Sequence, residues 1–99
     1  MSEAEIRETL ASLPKPIERL LQELHGIYVE LRTRQRDAEE SASHAMTPKD
    51  CVFWQGAANA FKAFADSLEF CPRGLSFERE AEAVFREWCA QVKSQLGMA

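Results

Sequence analysis

Three thiols and an imidazole are the side chains in this sequence with which metal or nucleophilic chemistry would begin. Cys51, Cys71, Cys89 and His44 could supply the three thiolates and one imidazole of a structural zinc site. Their spacing opposes that reading. No pair has the short CxxC-type separation of a zinc knuckle. If the segments either side of Cys71 pair as helices, Cys51 and His44 lie about 20 residues, or roughly 30 Å of helix, from it. Cys89 then falls between, nearest Ala57. A catalytic thiol needs a neighbouring base, and His25 belongs to an earlier helix. Glycine-rich phosphate loops, a nucleophile elbow and a HExxH pair are absent from the sequence. The expectation is no catalytic residues, no metal and no cofactor; a thiol or zinc-binding structural protein is the third-ranked reading.

Charge chemistry is concentrated in Arg32-Thr33-Arg34-Gln35-Arg36, the single basic cluster. A nucleic-acid-associated regulator would use Arg32, Arg34 and Arg36 against phosphates. The surrounding acids argue for a solvated, self-neutralising face instead, because Glu30–Arg34 and Arg36–Glu40 have the spacing of helical ion pairs. Glu82–Arg86 repeats that spacing. With a net charge of −4, the whole chain offers no electrostatic reason to seek DNA or an anionic membrane.

The 99 residues provide for a single domain, 1–99, with one modest core. No stretch approaches the roughly 18 uncharged residues that span a bilayer. The start, Met1-Ser2-Glu3-Ala4-Glu5, lacks the basic and apolar runs of a signal peptide. Three cysteines make an odd number that fits poorly with a disulfide framework. A cytoplasmic protein with reduced thiols is expected.

The elements that must position these groups are helices. Ser2 and Glu5 form a capping box for a short helix carrying Ile6, Leu10 and Leu13, and Pro14-Lys15-Pro16 stops it. A long second helix runs from Pro16 to about Ser43. Its stripe of Ile17, Leu20, Leu21, Leu24, Ile27, Tyr28 and Leu31 thins to Gln35, Ala38, Ala42 and Ala45. Thr47-Pro48-Lys49-Asp50 opens a third helix to about Phe70, with a cap, a first-turn proline and a first-turn acid. Cys71-Pro72-Arg73-Gly74 reads as a turn. Ser76 caps a last helix with the stripe Phe77, Ala81, Val84, Phe85, Trp88, Val92 and Leu96, ended by Gly97. The predicted fold is a small all-α bundle of about four helices, short, long, long and medium. Its centre is a hairpin of the third and fourth, with helix two packed along it and helix one as a lid.

Eight of the nine aromatics fall between Phe53 and Trp88. Helical phase lets Trp54, Phe61, Phe64, Phe85 and Trp88 bury one another in such a hairpin. Phe53 and Phe70 are left at the edge of the stripe and near the turn. The third helix is apolar over more of its circumference than two neighbours cover, and Gly56, Ala57, Ala60 and Ala63 permit close helix approach. Phe53, Gly56, Ala60 and Phe70 are therefore the candidate protein-binding residues, for a second copy or a larger protein.

Residues 47–95 resemble a loosely defined class of small helical phage- and prophage-encoded proteins. The resemblance lies in Thr47-Pro48-Lys49-Asp50, Phe53-Trp54-Gln55-Gly56, Phe61, and the amphipathic run from Ser76 to Val92. The leucine usual between the tryptophan and the glycine is missing here. Members are mostly of unknown biochemical role, so the resemblance implies a mobile-element accessory protein or inhibitor that binds a host or phage component, and assigns no site residues. The leading expectation is a non-enzymatic protein–protein interaction module, plausibly a homodimer.

Overall fold

The computed structural model describes residues 2–70 and 79–98. They form four helices and no strand: α1 (Glu3–Ser12), α2 (Lys15–Ser43), α3 (Pro48–Glu69) and α4 (Arg79–Gln95). The expected all-α class is observed. The expected turn at Cys71-Pro72-Arg73-Gly74 and the Ser76 cap lie outside the described residues.

Local chemistry sets the boundaries. The Ser2 hydroxyl accepts from the Glu5 N–H at 3.2 Å, and the Thr47 hydroxyl from the Asp50 N–H at 3.1 Å. Each satisfies one of the N–H groups that a first turn leaves without a partner. Pro14 cannot continue α1, and its carbonyl accepts the first bonds of α2 from Ile17 and Glu18. At the other terminus Gly97 takes φ +73, the left-handed conformation that a side chain resists. Met98 then donates to Lys93 at 2.8 Å and Gly97 to Ser94 at 3.1 Å, closing α4.

The pairing of helices departs from the sequence expectation. The central hairpin is α2 with α3, joined by the short link before Thr47, and α4 packs on α2 and α1 while barely meeting α3. Helix α4 crosses near the middle of α2. There Trp88 stacks on His25 at 3.8 Å, Phe85 meets Tyr28 edge-on, and Lys93 reaches Glu69. The physical reason is small residues on both helices: Ala38 of α2 and Ala58 of α3 are both buried, so the two long helices pair along their far halves. Cys89 accordingly sits beside Glu69, Phe70 and Lys93 rather than near Ala57.

The core is gathered at one end. Ile6, Leu10 and Leu13 of the α1 segment, Leu21, Leu24 and Tyr28 of α2, Ala65 of α3, and Ala81, Val84, Phe85, Cys89 and Val92 of α4 form one buried cluster. Beyond it the α2/α3 hairpin continues as a two-helix projection, giving a molecule of 51 × 25 × 17 Å. None of the described helices is long and apolar enough to cross a membrane.

Candidate protein-binding surface

Which face of α3 looks outward is decided by a buried arginine. Arg32 is only 3% exposed, and each of its three nitrogens donates. Its Nε donates to Tyr28 at 2.9 Å, Nη1 to Gln35 at 2.7 Å, and Nη2 to Asp66 at 2.6 Å and Glu69 at 3.0 Å. Tyr28 donates to Glu69, which also takes Lys93 of α4 at 2.6 Å. Lys62 holds the other oxygen of Asp66 at 3.1 Å. Among the described residues no buried side-chain N or O lacks a partner, the condition under which a buried polar network fixes a packing register.

The electrostatics follow from this wiring. Burial opposes the charge on Glu69, but Lys93, Tyr28 and Arg32 outweigh it and hold the carboxyl below its ordinary value. Asp66 is likewise depressed, burial being overcome by Arg32 and Lys62. Tyr28 is pushed up by burial and by its bond to Glu69. Burial, with the charge of Glu69, raises the Cys89 thiol to about 12, so it stays protonated and chemically inert at neutral pH.

With Ala58, Ala65 and the acids Asp66 and Glu69 turned to α2, the opposite side of α3 faces solvent. Val52 is 67% exposed, Phe53 65% and Phe64 63%, while Trp54, at the edge, is 38% exposed and meets Phe53 edge-on at 5.2 Å. Gly56, Ala60 and Ala63 lie exposed between the two phenylalanines. A Cβ at Gly56 would meet nothing within 4 Å. From Cys51 to Phe61 the helix carries no charge. The result is an uncharged strip about three turns long, small at its middle and aromatic at each end.

All four residues expected to bind protein are therefore at the surface: Phe53, Gly56 and Ala60 on this strip, and Phe70, 52% exposed, past the C-terminus of α3 with Arg86 over its ring. Two assignments are corrected. Phe64 and Trp54 are not buried against α4: Phe64 faces outward beside the buried Ala65, and Trp54 lies on the far half of α3, away from the cluster that α4 joins. Arg32 is not a surface cation, so a phosphate-binding trio of Arg32, Arg34 and Arg36 does not exist. Arg34 pairs with Glu30 at 2.8 Å as its spacing suggested, and Arg36 with Asp37 at 3.8 Å rather than Glu40. Glu82–Arg86 forms at 2.9 Å. Among the described residues no three His, Cys, Asp or Glu side chains are grouped to hold a metal; Cys51 and Cys89 lie at opposite ends of α3, and Cys71 is outside the described residues.

Sequence reasoning missed the Arg32 network. Its signal was present: Tyr28, Arg32 and Gln35 continue the seam of α2, and Asp66 and Glu69 stand one turn apart on α3. No family model, no curated protein and no solved structure matches this chain.

Proposed function

We propose that this chain is a non-enzymatic protein-binding module that uses the outer face of α3. The observation that carries this reading is the uncharged strip of Val52, Phe53, Gly56, Ala60, Ala63 and Phe64. Val52, Phe53 and Phe64 are each more than three-fifths exposed on this one face, and a contiguous exposed apolar patch marks an interaction site. The remaining surface of the same hairpin is of the opposite kind: Arg34, Arg36, Asp37, Glu39 and Glu40 line the outside of α2. Such a surface would suit a mobile-element accessory factor or inhibitor, the role that the resemblance of residues 47–95 implies.

The test is capture. The immobilised chain is compared with its Phe53→Glu/Phe64→Glu double variant, helix content being checked by circular dichroism. Proteins retained by the first should be lost from the second. Equal retention by both would remove α3 from the interaction.

A further inference from the structure

We infer that the occupant of this face is a second copy of the chain, the two α3 helices lying antiparallel about a two-fold axis at the level between Gly56 and Ala60. The inference rests on reading the α3 strip as a protein-binding surface and names its partner.

The strip is nearly palindromic. Outward from its middle it runs from Gly56 and Ala60 to Val52 and Phe53 on one side, and to Ala63 and Phe64 on the other. A two-fold axis perpendicular to a helix reverses its direction and keeps its lateral sides together. Phe53 and Phe64 are three turns apart and share one lateral side, since eleven residues return the helix to within about 20° of the same direction. Antiparallel pairing thus sets Phe53 of each copy against Phe64 of the other, with small residues facing small residues where the axis passes. Open space at Gly56 lets the backbones close to short range.

Charge and area agree. The chain carries −4 overall, and two copies brought together through most of its surface would repel. On this strip the stretch from Cys51 to Phe61 is uncharged, and the amine of Lys62 is already held by Asp66. A strongly charged partner would find nothing here to pair with; an identical strip does. Val52, Phe53 and Phe64, at 67%, 65% and 63% exposure, supply the apolar surface that such a pair would cover, a small interface of the kind that holds a weak dimer. A dimer in the micromolar range is expected.

Sedimentation equilibrium of the full chain from about 1 to 100 µM, a range that brackets such affinities, supplies the test. Wild type should pass from monomer to dimer. Phe53→Lys and Phe64→Glu, both at exposed positions, should each weaken self-association at least tenfold with helix content unchanged. Mixed in equal amounts they should regain dimer, because one Lys–Glu pair and one intact Phe–Phe pair then form across the axis; a parallel arrangement offers no such rescue. A wild type that stays monomeric, a dimer indifferent to both substitutions, or a mixture without rescue overturns the antiparallel dimer. If the monomeric chain still captures a protein in a Phe53- and Phe64-dependent manner, only the second copy is refuted. If it captures nothing in that manner, the binding surface is refuted as well.

Discussion

The two ends of this molecule are stabilised differently. At one end four helical segments enclose Leu21, Tyr28, Val84 and Phe85, all fully buried, and large side chains fill the interior. At the other, α2 and α3 pair where Ala38 and Ala58 are buried, and Val52 and Phe53 of α3 point away from the contact. Small residues inside and aromatics outside reverse the usual arrangement. The first end is a folding core. The second is a pair of helices whose apolar surface stays in water.

Truncating one enclosed and one outward-facing phenylalanine should expose the contrast most sharply. Phe85→Ala opens a cavity in a closed core, at an expected loss of about 3–5 kcal/mol. Phe64→Ala removes a ring that is mostly in water and should change the stability of the monomer by no more than about 0.5 kcal/mol. Urea unfolding of dilute protein measures both. A loss at Phe64 comparable to that at Phe85 would mean that the outer face of α3 contributes to folding and is not reserved for a partner.

The boundary between the ends is the Arg32 network, and removing its cation is the next largest effect. Arg32→Ala leaves Asp66, Glu69 and Gln35 facing a gap, and the loss should be about 3 kcal/mol, as for breaking a buried pair from one side. Arg32→Lys keeps the charge but cannot fork to two carboxylates and a hydroxyl, so it should recover only part of that loss. Double-mutant cycles with Glu69→Gln would show coupling, whereas Arg34→Ala, at an exposed pair, should change stability little.

This network also marks how far the sequence could be read. Caps and prolines name their own positions, which is why Ser2, Pro14, Thr47 and Gly97 delimit the helices as expected. Exposure of Phe53, Gly56 and Ala60 was legible from helical phase, since α3 has more apolar arc than its neighbours cover. Helix pairing was not legible, because it depends on which stripes meet, and the aromatic stripes of α3 and α4 looked complementary. Alanines are weak signals individually, yet Ala38 of α2 and Ala58 of α3 are both buried where the two long helices pair. Arg32 sits between two exposed arginines in sequence, and a charge run read along the chain conceals a residue whose neighbours are a turn away.

Acid should loosen the four-helix end before it affects the projection. Asp66 and Glu69 are held below ordinary values of 3.8 and 4.5. Their stabilisation is complete above those values, and falls away as pH drops through the depressed native ones. His25, stacked on Trp88 and lowered by burial from 6.5, acts earlier. The unfolded chain takes up this proton first, so stability should begin to fall below about pH 6.5. Thermal midpoints from pH 8 to 3 should show both steps, with His25→Phe removing the first and Glu69→Gln flattening the second. A profile unchanged by His25→Phe would place the early step elsewhere.

Gly56 offers the smallest effect and the finest discrimination between the ends. Glycine inside a helix costs about 1 kcal/mol relative to alanine, and nothing within the chain requires it here, because a Cβ would meet open space. Gly56→Ala should therefore stabilise the dilute monomer by about 0.5–1 kcal/mol through helix propensity alone. If the glycine serves close approach at the axis of a dimer, that gain should come with weaker self-association, and Gly56→Leu, at an exposed position whose Cβ would meet nothing within 4 Å, should abolish it. The two quantities then move in opposite directions across the series, which no intrachain role for Gly56 produces. Were alanine and leucine to leave association as tight as glycine does, the contact between copies would have to lie off the line joining Gly56 to Ala60.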